Sequence, residues 1–144
     1  MILLDTNVLS ALMRDPADPA VVAWLDAQEP GQVWTTAVNV FEVRFGLARL
    51  AKGRRRQRLE EAFAALLRED LAGRVAPLDR AAADAAGLLA ARREAAGRTV
   101  DVRDTLIGGI AIARRALVAT RNLRHYADLE TGVVDPWTAK LGSR

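Results

Sequence analysis

Short apolar runs alternate with longer segments of helical periodicity along this chain, and the alternation limits the folds that it can adopt. The apolar runs predict strands at 1–4, 32–36, 74–78 and 117–120, and the segment 132–137 predicts a last short strand and its exit. The segments between them predict helices at 8–13, 19–28, 38–51, 54–71, 80–96 and 102–115. Strands that alternate with helices are typical of the α/β class, so we expect helices packed on a mainly parallel central sheet.

The length and hydropathy of the chain set its domain organisation. It has 144 residues, of which 51% are hydrophobic and 27% are charged. That length can bury one core but is too short for two, so we expect a single domain over 1–144. The sequence contains no run of about 18 apolar residues, and no basic segment precedes its apolar start. We therefore expect neither a membrane span nor secretion, and we expect the protein to be cytoplasmic.

The cysteine and histidine content limits the metal sites that the chain can form. There is no cysteine, and there is one histidine, His125. Disulfides, thiolate zinc sites and histidine-rich zinc sites are therefore excluded. Any bound metal ion would need oxygen ligands.

Polar side chains follow two of the predicted strands at the point where each strand ends. The triplet Asp-Thr-Asn at 5–7 comes directly after the first strand, and Thr-Arg-Asn at 120–122 ends the fourth. Ligands of parallel α/β sheets bind at the carboxyl ends of the strands. We therefore expect both triplets to contribute to one polar site.

Three further acids border apolar segments. Glu42 is the only acid in the predicted helix 38–51, and Asp101 and Asp104 open the helix 102–115, where Gly108 and Gly109 leave room one turn later. A carboxylate in such a setting is costly unless it is paired or binds a cation.

Each acid also has an ordinary structural interpretation. Asp5 could cap the next helix, and for Asp101 we prefer capping to metal binding, because Asp is favoured at helix N-caps. Glu42 could be neutralised by Arg44 or Arg49, although sequence separations of two and seven do not favour pairing on a helix.

Taken together, the motifs identify a resemblance. The sequence resembles the PIN-domain ribonucleases, most closely the VapC toxins of toxin–antitoxin pairs and, within them, the FitB-like subgroup. The resemblance is carried by "MILLDTNVLS", "NVFEVRFGL", "VRDTLIGGIAIARRALVATRNLRHY" and "VVDPW", which span nearly the whole chain. It implies a three-layer α/β/α domain whose acidic residues hold Mg²⁺ or Mn²⁺ and cleave RNA phosphodiester bonds.

The resemblance also implies roles for individual residues. The catalytic and metal-binding acids are expected to be Asp5, Glu42 and Asp104. Uncharged or peripheral polar groups are expected to support them: Thr6, Asn7, Thr120, Asn122 and Asp101. Carboxylates about 4 Å apart would repel by roughly 4 kcal/mol per pair at an effective dielectric constant near 20, so a cation is expected among them. A water molecule on that cation would suffice as nucleophile, and we assign no general base.

One loop departs from the family pattern. Relatives commonly place a fourth acid where Asn122 or His125 stands in this chain. An amide contributes no charge to hold a second cation. We therefore expect one tightly held ion, with any second ion bound weakly and completed by substrate phosphate or Asp101. We interpret His125 as an exposed loop residue.

Basic and aromatic residues give weaker indications. Net charge is +3 with a pI near 10.1, which fits a polyanionic partner or merely reflects genome base composition. Arg121 and Arg124 are the preferred candidates for contact with RNA phosphates. The basic stretch 52–58 is equally compatible with RNA binding and with a solvated helix start. The tryptophans are expected in the core or at an interface rather than as base-stacking platforms: Trp24, Trp34 and Trp137.

The family resemblance implies partners. These are a cognate antitoxin, a second copy in a homodimer, and a heterotetramer or larger assembly with the antitoxin that reaches operator DNA through the antitoxin alone. The helix 38–51 carries apolar residues on two sides, which predicts burial on two sides and is compatible with an interface.

Two other functions remain open at the level of sequence. The chain could be a catalytically weak antitoxin-binding component of a DNA-binding repressor complex. A receiver-like or phosphatase-like α/β domain would also place an Asp at a strand end, but such a domain has no role for an acid at the position of Glu42 in the buried helix 38–51.

Overall fold

A five-stranded parallel sheet forms the centre of the molecule in the computed structural model, which describes residues 1–141. The strands are β1 (Ile2–Leu4), β2 (Val33–Thr36), β3 (Val75–Ala76), β4 (Leu117–Ala119) and β5 (Val133–Val134). They lie in the order β3-β2-β1-β4-β5, and every neighbouring pair is parallel. Leu3 of β1 is in register with Trp34 and with Val118. The first strand is therefore central, and its carboxyl end lies between those of β2 and β4.

Six α-helices connect the strands: α1 (Thr6–Met13), α2 (Pro19–Asp26), α3 (Ala37–Ala48), α4 (Arg54–Ala65), α5 (Arg80–Ala95) and α6 (Val102–Arg114). Short 3₁₀ turns cover Pro30–Gln32 and Leu123–His125, and a π-helical turn over Leu66–Asp70 extends α4. No helix within residues 1–141 is long and apolar enough to cross a membrane.

The core is divided between the two faces of the sheet. Leu4 packs in a cluster with residues of α1 to α4, whereas Leu3 packs with Ile107 and Leu89 of α6 and α5. Successive residues of a strand point to opposite faces, so β1 supplies both clusters. The arrangement is the predicted three-layer α/β/α fold. Residues 142–144 of the predicted domain lie outside the described residues.

Two glycines allow α6 to approach α5. A Cβ on Gly109 would lie 2.5 Å from the Ala82 carbonyl oxygen, and one on Gly108 would lie 2.6 Å from Leu89 Cδ2. Glycine at these positions lets the two helices pack at short range, and α6 carries Asp104 at its start.

The prediction that helix 38–51 is buried on two sides is wrong within the chain. Val43 and Leu47 of α3 are buried. On the other apolar side of the helix, Phe41 is 58% exposed and Phe45 is 48% exposed. The two rings stack with centroids 6.1 Å apart. One apolar face of α3 is therefore covered by the rest of the chain and the other faces solvent.

Candidate active site at the carboxyl edge of the sheet

Asp5 is fixed at the end of the central strand. Its backbone N–H continues the strand ladder by donating to the Ala119 carbonyl at 2.9 Å. The residue is only 6% exposed, and its carboxylate accepts hydrogen bonds from the Thr6 N–H at 2.9 Å, Asn39 Nδ2 at 3.0 Å and Thr120 Oγ1 at 2.8 Å. Burial raises the pKa of Asp5, these hydrogen bonds oppose the rise, and the Asp104 charge adds to it. Asp5 thus caps α1 and also presents a rigidly oriented carboxylate.

Thr120 joins the ends of β1 and β4. Its hydroxyl donates to Asp5 Oδ2 and accepts from Asn7 Nδ2 at 3.1 Å and from the Asn122 N–H at 3.0 Å. Asn7 Oδ1 in turn accepts from the Arg121 N–H at 3.1 Å. The two polar triplets therefore meet at one edge, as expected from the parallel sheet.

Asn39 is a buried residue of this network that the sequence interpretation missed. Its amide nitrogen donates to Asp5 Oδ1 and to Thr6 Oγ1, both at 3.0 Å. Its amide oxygen accepts from Thr36 Oγ1 at 2.6 Å, and Thr36 also caps α3. A fully buried amide with every partner fixed holds Asp5 in one orientation. The signal in the sequence was a lone amide in the apolar start of α3.

Glu42 lies three residues further along α3. Its Oε1 atom is buried and makes no hydrogen bond within the described residues. Burial is the main cause of the raised pKa of Glu42, the Asp5 charge adds to it, and the Arg103 charge opposes it. The proposed neutralising arginines lie elsewhere, since the guanidinium of Arg44 stacks over Phe63 and that of Arg49 stacks over Phe45.

Asp104 lies in the first turn of α6 and contacts the loop after β4. The Tyr126 hydroxyl donates to its Oδ1 at 3.2 Å, and His125 Nδ1 lies 2.7 Å from its Oδ2. Asp101 is exposed and caps α6 by accepting from the Asp104 N–H at 3.0 Å, so the capping interpretation of Asp101 is confirmed.

Two residues of this loop change the sequence interpretation. His125 is an exposed loop residue, as predicted, but its Nδ1 also contacts the Asp104 carboxylate, which the sequence did not predict. Tyr126 was missed. It is fully buried, and burial together with the charges of Asp5 and Asp104 raises its pKa well above the ordinary value for a phenol. The phenol of Tyr126 therefore stays protonated at neutral pH and can donate to Asp104.

A single cavity of about 320 Å³ brings most of the candidate residues together. Its lining comprises Asp5, Thr6, Asn7, Glu42, Asp101, Arg103, Asp104, Asn122 and His125. Arg103 was not singled out from the sequence, and it is the one basic side chain besides His125 in this lining. Neither Arg121 nor Arg124 belongs to the lining. The Arg121 guanidinium instead stacks on the Trp137 ring at 4.1 Å.

The donor set suits a hard cation. Within residues 1–141 no three acidic or histidine side chains already surround a common point at metal-binding distance. The cavity nevertheless offers carboxylate oxygens, and one of them, Glu42 Oε1, is buried without a partner. Mg²⁺ usually keeps several waters and takes only one or two protein carboxylates, so the residues present fit such an ion.

Comparison with known proteins agrees with the arrangement of these motifs. A family model described as PIN domain matches residues 2–129. The chain belongs to the PIN-domain family. This PIN domain is 36% identical over 137 residues to VapC ribonuclease Y4jK of Sinorhizobium fredii, which covers 95% of the chain and 98% of that protein. It is 32% identical over 137 residues to toxin FitB of Neisseria gonorrhoeae, and the match covers 95% of this chain and 99% of that protein.

A solved structure also resembles this PIN domain over nearly its full length. It is a chain of FitAB bound to the IR36 DNA fragment, with a TM-score of 0.86 and 31% identity over 97% of this chain and 98% of that chain. The resemblance to VapC and FitB inferred from the motifs is therefore confirmed.

Proposed function

We propose that the protein is a metal-dependent endoribonuclease and the toxin of a toxin–antitoxin module. One observation carries the proposal most directly. Asp5, Glu42 and Asp104 line one cavity at the carboxyl edge of the sheet, and Glu42 presents a buried oxygen without a partner. The printed functions of its relatives, a VapC ribonuclease and the toxin FitB, support the same conclusion.

We propose that Asp5, Glu42 and Asp104 hold Mg²⁺ or Mn²⁺. When bound, such an ion activates water for attack on phosphorus and neutralises charge on the phosphoryl oxygens. The chain supplies the geometry. Asn39 and Thr120 fix the direction of the Asp5 carboxylate, and fixed donors around a ligand raise both its affinity and its precision.

The surrounding residues have distinct proposed roles. Tyr126 holds Asp104 through a hydrogen bond from its hydroxyl, which stays protonated near neutral pH. Thr6, Asn7 and Asn122 line the cavity as polar support, and Asp101 at its exposed rim is available to a second, weakly held ion. The sequence thus favours one strongly bound ion.

RNA contact is proposed for basic groups around the cavity. Arg103 lines it, and Arg121, held against Trp137, presents a planar guanidinium with reduced freedom next to the Asn7–Thr120 network. Arginine stacked on an aromatic ring keeps its N–H groups available for phosphate. Arg124 is exposed nearby and is a weaker candidate.

The proposal also covers the binding partners of the protein and its location in the cell. A cognate antitoxin is expected because the FitAB structure that resembles this chain is a complex bound to DNA, and operator DNA would be reached only through that antitoxin. The exposed Phe41 and Phe45 face of α3 is compatible with a homodimer and with larger assemblies. We propose that residues 1–144 act as one domain and that the protein acts in the cytoplasm, where its RNA substrate is available.

A cleavage assay tests the proposal. Purified antitoxin-free protein is incubated with a labelled RNA in Mn²⁺ or in EDTA, beside Asp5→Asn, Asp104→Asn and the matched surface change Asp84→Asn, all purified identically. We expect endonucleolytic cleavage by the wild type and Asp84→Asn in Mn²⁺ alone, and none by the two site variants. Equal cleavage by all four proteins would indicate a contaminant, and no cleavage by any would refute the nuclease proposal.

The second candidate is a catalytically weak antitoxin-binding component of a repressor complex. The observation that favours it is His125, which lies against an Asp104 oxygen in the loop where relatives commonly carry a fourth acid. The same assay separates the two functions. Absence of cleavage together with operator binding by the toxin–antitoxin complex would favour the repressor role.

A further inference from the structure

Arg93 is a buried arginine outside the cavity. It lies near the end of α5, and it is only 4% exposed. Arginine is almost never buried unless it is paired. Its partner is Asp128, whose carboxylate accepts from Arg93 Nε at 2.8 Å and from Nη2 at 2.9 Å. This two-point pair connects α5 to the segment between β4 and β5, 35 residues further along the chain.

The same guanidinium makes two more contacts. Nη2 also donates to the His125 carbonyl at 2.8 Å, and Nη1 donates to Thr105 Oγ1 at 3.3 Å. The Thr105 hydroxyl in turn donates to the Asp101 carbonyl at 2.7 Å. One side chain therefore binds the segment 122–129 at two points and the first turn of α6 at a third.

These anchor points flank the groups that contact Asp104. Arg93 binds the backbone of His125 and the side chain of Asp128, and Tyr126 lies between these two residues on the loop, while Thr105 is the residue next to Asp104 on α6. Arg93 itself does not line the cavity. Its effect on the site would therefore pass through the loop and the turn that it joins.

We propose that Arg93 is a positioning residue: it locks the loop 122–129 to the start of α6 so that Tyr126 and His125 hold the Asp104 carboxylate. The proposal rests on the proposed nuclease function. Lysine cannot replace the guanidinium, because an ammonium lacks the planar fork that serves a bidentate carboxylate and a carbonyl at once. Arg98 also reaches Asp128 at 2.8 Å and the Arg124 carbonyl at 3.4 Å, but its side chain is 37% exposed and both of these partners belong to the loop.

The composition of the chain provides a reporter that does not depend on activity. Tyr126 is its one tyrosine. Protein labelled with 3-fluorotyrosine therefore gives one ¹⁹F resonance, which reports the packing of Tyr126 against Asp104 in metal-free protein. The test variant is Arg93→Lys, which preserves net charge. The matched control is Arg92→Lys, an exposed neighbour on the same helix.

We expect Arg93→Lys to shift or broaden the ¹⁹F resonance and to lower kcat about tenfold or more while KM changes less than about twofold, as for residues that orient ligands of a metal site. Arg92→Lys should leave the resonance and both constants unchanged. An unmoved resonance would overturn the proposal, whatever the kinetics. A moved resonance with unchanged kcat would overturn the role in positioning.

Thermal melts distinguish positioning from support of the whole fold. Arg93→Lys should melt cooperatively and retain the wild-type far-UV spectrum, whereas global unfolding would overturn the proposal because Arg93 would then hold the fold. Failure of the wild type to cleave RNA would refute the nuclease function instead. In that case the positioning role is tested by Mn²⁺ affinity, which Arg93→Lys should lower about tenfold. Equal Mn²⁺ affinity of Arg93→Lys and the wild type would overturn the positioning role.

Discussion

Replacement of Gly109 by alanine tests how α5 supports the helix that carries Asp104. The new Cβ would lie 2.5 Å from both the Ala82 carbonyl oxygen and Ala86 Cβ, and 2.8 Å from the Ala86 nitrogen. Carbon atoms in contact prefer about 3.5–4.0 Å, so α5 would have to withdraw by about 1 Å. Two of the three obstructing atoms are backbone, which cannot move aside as a flexible side chain can.

The expected magnitude follows from two opposing effects. Overpacking of this kind costs about 1–3 kcal/mol or more, and rigid backbone places Gly109→Ala at the upper end. The better helix propensity of alanine returns about 1 kcal/mol. The net loss of about 2 kcal/mol should lower Tm by roughly 4–8 °C in a domain of this size.

The assay is thermal or urea unfolding of the metal-free protein, with Gly87→Ala as the matched control. Gly87 lies within α5, and a Cβ there would meet nothing within 4 Å. Gly87→Ala should therefore stabilise the protein by about 0.5–1 kcal/mol. If Gly109→Ala also raised Tm, the close packing of α5 on α6 would be refuted.

Three further predictions concern the site and its rim. Glu42 has a raised pKa, so its ionised carboxylate destabilises the metal-free fold increasingly as the pH rises through the ordinary pKa of 4.5. Thermal melts in EDTA should show Glu42→Gln more stable than the wild type at pH 7, and this difference should vanish towards pH 4. The hydrogen bond from Arg93 is the main cause of the lowered pKa of Asp128, so the Asp128 carboxylate stabilises the fold above the ordinary pKa of 3.8 and loses this effect as the pH falls below it. Asp128→Asn should lower Tm at pH 7 and hardly at all near pH 2. An equal decrease in Tm at both pH values would contradict an ionic origin of the stabilisation. Trp137→Leu should free Arg121 and raise KM for RNA roughly two- to fivefold at constant kcat, the size of an exposed cation–π contact; an unchanged KM in steady-state cleavage would remove Arg121 from substrate binding.

Much of the fold could be predicted because the pattern is local. Short apolar runs and helical stripes located the five strands and six α-helices of residues 1–141, and the resulting α/β arrangement placed the strand ends together. The boundaries were less accurate. A last short strand and its exit were predicted within 132–137; the strand covers Val133–Val134, and Asp135 then turns the chain by accepting from the Trp137 N–H at 2.8 Å.

The acids of the candidate site could be predicted because charge among apolar residues is conspicuous. Asn39 and Tyr126 were missed because they carry no charge: the lone amide of Asn39 in an apolar helix start was a weak signal, and nothing in the polar stretch around Tyr126 predicts that its ring is buried against Asp104. Arg93 was missed because a charged residue on an alanine-rich helix suggests a solvated face. Only tertiary structure shows that this part of α5 faces the loop with Asp128.

The central claim is that the acids at the sheet edge hold a divalent cation on which RNA cleavage depends. Calorimetric titration of Mn²⁺ into antitoxin-free protein, run beside cleavage over the same Mn²⁺ concentrations, tests it most directly. We expect one strong site in the wild type and in Asp84→Asn, none in Asp5→Asn, and cleavage that saturates together with binding. Mn²⁺ binding of equal strength in Asp5→Asn, or wild-type cleavage that persists in EDTA, would contradict the claim.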